Sequence, residues 1–324
     1  MTDFTRDYVI TDLRPMIVAG APPDSPAMRV DPNTTTSPFA GVVSIEIMSG
    51  LGTFLCSGAP FTSLRILSAA HCLDLDDNGT IDVLPSAVTV HFNFGTNLSD
   101  NIVASGLAVH PDWTGFANPS VNDDLAVITL SSPVPAGIPI YPLYPNPVLP
   151  GDMLTLVGYG TSGDGVSGFF VGASFTVKRS GKNVADLFGL DDEAPFTAIE
   201  TFAFDFDDPA GVLGFVGGPS LGNTIEATLG PGDSGGPAFF DDGGTLKIAG
   251  VNTFGFALPG GPAIPLFGSG AGGILIHPYT AFLIPEPSSL VLLGMGIIGL
   301  GTILWKHGKR GGQEGPLITT RSEG

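Results

Sequence analysis

The chain has 324 residues, of which 43% are hydrophobic, and a formal net charge of -19. That length and apolar content argue against disorder over most of the sequence, and the acidic balance argues against a nucleic-acid binder working through phosphate contacts. With 47 glycines, 29 prolines and only 13% charged residues, the composition favours a β-rich, turn-dense globule with a soluble, outward-facing surface over a helix bundle.

Residues 1–16 contain no apolar core of signal-peptide length and are interrupted by Asp3, Asp7 and Asp12, so no export signal is visible there. Ile17-Val18-Ala19-Gly20 then opens an apolar stretch. Short apolar runs at 42–47, 53–55 and 66–67, separated by Gly and Ser, read as hairpin strands. The last of them leads into Leu67-Ser68-Ala69-Ala70-His71-Cys72.

An acidic loop follows. Asp74, Asp76, Asn78, Thr80 and Asp82 fall at alternate positions around Gly79, with Ile81 near the end. That is the start of an EF-hand-type calcium loop, but Pro85 stands where the bidentate Glu belongs. The residues leave two readings open, a structural calcium site and a solvated acidic turn. Ser86 to Phe94 alternates apolar and polar, which predicts a half-buried strand with His91 exposed on its polar face.

Asp123-Asp124 precedes a buried strand over Leu125 to Leu130, and Ser131 to Pro150, with seven prolines, reads as a crossing linker. A strand over Leu154 to Gly160 comes next, then an insertion at 161–197 containing an alternating strand candidate, Phe170 to Val177. Phe202, Phe204 and Phe206 alternate again, with Asp205, Asp207 and Asp208 placed to cap a turn, and Ile248 to Phe256 reads as a further strand. His110 and His277 are expected to be structural.

Between these last strands lies Gly230-Pro231-Gly232-Asp233-Ser234-Gly235-Gly236-Pro237. A core strand does not want four glycines in eight residues. A turn that exposes one Ser and aims backbone N–H groups beside it does. A nucleophilic Ser needs a base and an orienting acid, and His71 and the Asp123-Asp124 pair stand upstream in the order His, Asp, Ser. The Ala-Ala-His-Cys, Asp-Leu-Ala and Gly-Asp-Ser-Gly-Gly-Pro boxes together resemble a trypsin-like (chymotrypsin-family) serine protease over residues 17 to 283.

The resemblance implies an all-β fold of two packed six-stranded Greek-key barrels and a triad of His71, Asp124 and Ser234, Asp124 being chosen over Asp123 because it directly precedes the Leu-Ala pair. It also implies an oxyanion hole from the Gly232 and Ser234 amides, and a disulfide between Cys56 and Cys72. Cleavage before Ile17 would free an amine to pair with Asp233, although Met16 replaces the usual basic residue. Thr228 stands at the base of the specificity pocket, walled by Thr253, Gly255 and Gly273. With no carboxylate at Thr228 and no cysteine at Gly230, no trypsin-like preference for Lys or Arg is expected. The family requires no cofactor, and some members bind calcium in a loop near residues 74–82.

Residues 284–310 change character. Pro285-Glu286-Pro287 precedes the apolar run Leu290 to Trp305, closed by Lys306, His307, Lys309 and Arg310. This resembles a bacterial PEP-CTERM sorting signal, read by an exosortase-type enzyme, with a hydrophobic helix over 290–305 that anchors the chain transiently in the inner membrane and leaves the basic tail inside. The expected organisation is a leader or propeptide-like segment at 1–16, a protease domain at 17–283, the sorting segment at 284–310 and a disordered tail at 311–324. The function read from this is an exported serine endopeptidase of the cell envelope or extracellular space, acting on protein or peptide substrates. The competing reading is a catalytically silent protease-fold adhesin or matrix protein.

Overall fold

The structure, a computed structural model, describes residues 9–12, 17–95, 97–116, 121–216 and 220–284. Residues 1–280 form one compact unit and residues 281–324 a second, and everything below concerns the first. The expected helix at 290–305 and the tail lie outside the described residues, among which no helix is long and apolar enough to cross a membrane.

The strands in chain order are β1 Val9–Asp12, β2 Val30–Asp31, β3 Val43–Ser49, β4 Gly52–Pro60, β5 Arg65–Ser68, β6 Val88–Phe94, β7 Asn97–Val109 and β8 Ala126–Leu130. They continue with β9 Met153–Gly158, β10 Ser162–Asp164, β11 Gly168–Val171, β12 Lys178–Val184, β13 Leu187–Leu190, β14 Ile199–Asp205, β15 Pro237–Asp242, β16 Thr245–Ala257 and β17 Gly270–Leu275. The fold is all-β and chymotrypsin-like, as the motifs predict.

The first half closes into a barrel in the order β3-β4-β5-β8-β7-β6. Its period-2 pattern is visible in Val88, Val90 and Phe92 of β6 and Ile45 and Ile47 of β3, all essentially inaccessible to solvent. Each such side chain contributes roughly 1.5–3 kcal/mol of transfer free energy. The expected strands over 86–94 and 125–130 are β6 and β8.

The second half is a nine-stranded sheet in the order β13-β14-β17-β16-β15-β9-β12-β2, with β1 added to β16. The ladder leaves β12 unpaired with β14, and a side chain spans the gap: Asn183 Nδ2 donates to the Asp205 and Ala227 carbonyls at 2.8 and 3.0 Å. Phe202, Phe204, Phe188, Leu154 and Leu156 fill the core between these strands. The predicted turn caps are in place, because Asp208 Oδ1 accepts the Val212 and Leu213 amides and Asp205 Oδ2 those of Phe215 and Val216.

The insertion differs from its expected strand. Of the expected Phe170 to Val177 only Phe170 and Val171 are extended, as the end of β11, which pairs with β10 as a separate ribbon, and no strand covers 172–177. Ser174 Oγ accepts the Thr176 amide at 3.3 Å and breaks the extended run. The Phe175 carbonyl is instead taken by Ser44 Oγ and Asn93 Nδ2, each at 2.7 Å, which ties the segment to the first barrel.

The Pro-rich crossing over 131–150 carries no strand and is fixed at both ends. The Tyr141 amide donates to the Pro60 carbonyl at 2.9 Å and the Tyr144 amide to Ile248 at 2.8 Å.

Candidate active site

The site is built where the ends of both halves meet. β5 runs out at Ser68, and residues Ala70–Cys72 wind into one 3-10 turn that presents His71. The Cys56–Cys72 disulfide joins that turn to β4. Before β8 the chain turns at Asp123, a non-glycine residue at φ +60°, and delivers Asp124 beneath the imidazole. Asp124 Oδ2 lies 2.6 Å from His71 Nδ1 and Asp124 Oδ1 accepts the His71 backbone N–H at 2.9 Å. The Asp124 side chain is wholly buried while 11% of the His71 side chain stays accessible. A carboxylate so placed holds Nδ1 protonated and leaves Nε2 as the acceptor. The Phe116 ring stacks obliquely on the imidazole, 5.2 Å between centroids.

Ser234 sits in the glycine turn between Leu229 and β15. Gly232 at φ +105° and Gly235 at φ +81° occupy backbone regions that suit glycine. Gly235 also needs its missing Cβ for space. A side chain there would come within 2.1 Å of Ser68 Oγ and 2.9 Å of the Ala69 amide nitrogen, so the nucleophile turn packs directly against the chain leading to His71. The far side is clamped to β16, since the Gly235 amide donates to the Asn252 carbonyl at 2.9 Å and the Asn252 amide to the Gly236 carbonyl at 2.8 Å. The near side is clamped to β4. Ser57 N donates to the Ser234 carbonyl at 2.8 Å, and Ser57 Oγ donates to the Gly232 carbonyl at 2.8 Å and accepts the Tyr159 amide at 3.0 Å. Among the described residues, neither the Gly232 nor the Ser234 amide donates a hydrogen bond, and none joins His71 to Ser234.

Asp233 points away from Ser234 and is fully buried. Its Oδ1 accepts the Gly160 amide at 3.0 Å, while its Oδ2 has no hydrogen-bond partner. Burial pushes its carboxyl well above the usual range, opposed by the Gly160 N–H and the charge of Arg179. Arg179 stands nearby, with Nη1 donating to the Gly160 carbonyl at 3.4 Å. Ile17 is buried, its carbonyl accepting Ser162 Oγ at 2.8 Å, and the next residue is locked by the Val18 amide donating to the Thr228 carbonyl at 2.9 Å.

Thr228 and Thr253 are buried, and the hydroxyls of both lack partners. Gly255 lies on β16 opposite Ala271 and, on the other edge, opposite Asp12 of β1. Gly273 pairs with Asn252, and a Cβ there would meet the Val251 carbonyl oxygen at 1.8 Å, so it permits close strand approach.

In the acidic loop, Asp74, Asp76 and Asp82 do converge. Asp74 is buried and its oxygens already accept the Asn78 and Gly79 amides and Trp113 Nε1. Asp82 Oδ2 accepts the Leu75 and Asp76 amides, and Asn78 Oδ1 accepts the Thr80 amide. The loop is therefore closed by its own N–H groups. His91 is half-buried rather than exposed, because Glu46 Oε2 and Asn101 Oδ1 lie 3.1 and 2.9 Å from its ring nitrogens. His110 has the expected structural place, with Nδ1 2.9 Å from Asp123 Oδ1.

The sequence reading missed Ser57, Gly160 and Arg179. Each acts through backbone geometry or long-range charge, which residue type alone does not signal. Ser57's position beside Cys56 was the one available clue.

Residues 52–246, more than half the chain, match the trypsin-like peptidase domain family, and residues 283–309 match the PEP-CTERM protein-sorting motif. The first match includes His71, Asp124 and Ser234 and stops short of Thr253, Gly255 and Gly273. The second carries sorting to the membrane or envelope by an exosortase.

Proposed function

The chain belongs to the trypsin-like peptidase family, and from that membership we propose that it is an active serine endopeptidase using His71, Asp124 and Ser234. The observation that carries the reading is the two-point grip of Asp124 on His71, at Nδ1 and at the backbone N–H, beside a serine turn with two amides free to donate.

In this reading Ser234 Oγ attacks the scissile carbonyl while His71 Nε2 takes its proton. The same proton passes to the leaving amine as the C–N bond breaks. Water then cleaves the acyl-enzyme by the reverse route. The Gly232 and Ser234 amides receive the oxyanion, each donor being worth about 2.7–4 kcal/mol. Asp124 stabilises the imidazolium and keeps its tautomer. The chemistry needs no cofactor. His71 and Ser234 are not hydrogen-bonded without substrate, a looseness common in unliganded sites of this kind.

Thr228, with Thr253 and Gly255 on the neighbouring edge, is assigned to the substrate pocket, and a floor with no carboxylate disfavours Lys and Arg. Residues 1–16 are assigned as a propeptide. Cleavage before Ile17 would create an ammonium next to a strand already docked on Thr228, and the unpartnered Asp233 Oδ2 is the acceptor it would satisfy. The same cut would detach β1 from β16 at Gly255–Ala257, the edge assigned to substrate backbone. From the sorting motif we also infer export and envelope display, and residues 290–305 are proposed as the membrane segment.

Fluorophosphonate labelling of the exported protein tests the reading. An adduct on Ser234, absent from Ser234→Ala, is expected. No adduct in protein that begins at Ile17 would overturn it in favour of a silent display protein.

A further inference from the structure

Next to the His71–Asp124 pair lies a second group of charges with no part in that chemistry. Asp123 in the turn before β8, Asp192 and Glu193 in the loop after β13, and Glu200 on β14 each bring one carboxylate oxygen within 4.8 Å of the others. Asp123 and Glu200 are buried, and Asp192 and Glu193 are exposed. The cluster thus has a closed floor and an open rim.

Glu200 is only 7% exposed, and its Oε2 is buried with no hydrogen-bond partner. An unpartnered carboxylate oxygen in a protein interior is costly. The Glu200 carboxylate, which Tyr279 also hydrogen-bonds, stands with three more, and the two buried ones, Glu200 and Asp123, bring like charges together away from solvent. Among the described residues, the ion pair of the cluster is Asp123 Oδ1 with His110 Nδ1 at 2.9 Å.

The loop itself is held in shape independently of any ion. The Glu193 amide donates to Asp191 Oδ1 at 2.7 Å, Asn122 Nδ2 donates to the Leu190 carbonyl at 2.8 Å, and the Asp123 amide donates to Tyr279 Oη at 3.3 Å. The two carboxylate-bearing loops are therefore tied together around a common centre.

We infer that Asp123, Asp192, Glu193 and Glu200 form a binding site for one divalent cation of the calcium class. The donors are all hard oxygens, three of them on irregular loops and one on β14, which suits the variable coordination of calcium better than the strict octahedron of magnesium. Two donors at the rim leave room for water ligands and for access from solvent. A cation here supplies Glu200 Oε2 with its missing partner and cancels the repulsion. It also braces the Asp123 turn, held at φ +60°, whose next residue is Asp124. The site is distinct from the acidic loop over 74–82 and does not depend on the peptidase reading.

Isothermal calorimetry and thermal melts of the full chain, after chelator treatment, test this with calcium chloride. The wild type and an Asp76→Asn/Asp82→Asn variant are expected to bind one calcium through this cluster and to melt at a higher temperature with it. Glu193→Gln/Glu200→Gln is expected to lose that binding and that shift. In chelator the same variant should melt no lower than wild type, because the repulsion is gone. Absence of a calcium-induced shift in the wild type overturns the proposal. So does binding that survives Glu193→Gln/Glu200→Gln and disappears in Asp76→Asn/Asp82→Asn. Equal stabilisation by magnesium chloride at the same concentration would reduce the effect to charge screening and also overturns it.

Discussion

Ser57 holds Ser234 by the backbone: its amide donates to the Ser234 carbonyl at 2.8 Å, across the seam between the two halves of the molecule. Its hydroxyl reaches two residues further back, to the Gly232 carbonyl. A single residue of β4 therefore sets the orientation of both peptides flanking the assigned oxyanion hole.

Ser57→Ala removes this second grip and leaves the buried Tyr159 amide and the Gly232 carbonyl without a partner. The expected loss of stability is about 1–3 kcal/mol, the desolvation cost of an orphaned buried group. The fluorophosphonate reaction rate should fall as well, since the Gly232 amide would no longer be aimed. Denaturant melts and labelling kinetics on the same sample check both. An unchanged labelling rate in a destabilised variant would separate the clamp from the chemistry.

Asp124→Asn keeps the shape of the side chain but offers Nδ1 a donor where it needs an acceptor. The imidazole then adopts the wrong tautomer, and the turnover rate of a peptide substrate should drop by about 10⁴-fold. The His71 backbone N–H still finds the amide oxygen, so the melt should move little. Steady-state kinetics with a peptide library, followed by far-UV and thermal controls, test the split between activity and fold.

The fold was legible because its elements are written in local sequence, as are the boxes that carry His71, Asp124 and Ser234. Val88, Val90 and Phe92 show their strand by period, and Gly232 and Gly235 show their turn by the φ values only glycine takes easily. The disulfide pairing Cys56 with Cys72 followed from resemblance and is present. What was illegible depends on contacts far apart in the chain. Phe170 to Val177 alternates like a strand, yet Ser174 turns it and the first barrel captures the Phe175 carbonyl. The docking of Val9–Asp12 on Gly255–Ala257 has no local signature at all, and Glu200 reads as an ordinary strand carboxylate until Asp123 is folded against it.

A chain made to start at Ile17 should label with fluorophosphonate at least about a hundredfold faster than the chain carrying residues 1–16. Roughly 3 kcal/mol is the smaller end of what one missing partner costs a buried charge, and it corresponds to that rate factor. Asp233→Asn in the Ile17 chain should lose most of the gain. A chain starting at Leu13 lacks β1 but has no free Ile17 amine. If it labels as fast as the Ile17 chain, strand release alone accounts for activation. If it stays slow, the ammonium is required.

Stability without calcium should fall as pH rises from about 4.5 to about 8. Glu200 is pushed up to about 8, and Asp186 and Asp207 each to about 7, in all three cases first by burial and then by neighbouring carboxylates. Such a group binds more protons folded than unfolded. Its protonated form is retained in the fold above the pH where the unfolded chain has released it, so stability is highest below the ordinary carboxylate range and is lost as pH climbs through the folded value. Glu200→Gln should flatten the upper part of that decline, between about 7 and 8, and leave the lower part to Asp186 and Asp207. Calcium should act in the same upper window, because an ion on Glu200 favours the carboxylate and draws its pKa down. Urea melts at half-unit pH steps, with chelator and with calcium chloride, give both curves. A wild-type stability that rises across this window in chelator would contradict the assignment of Glu200 as a buried carboxyl short of a partner.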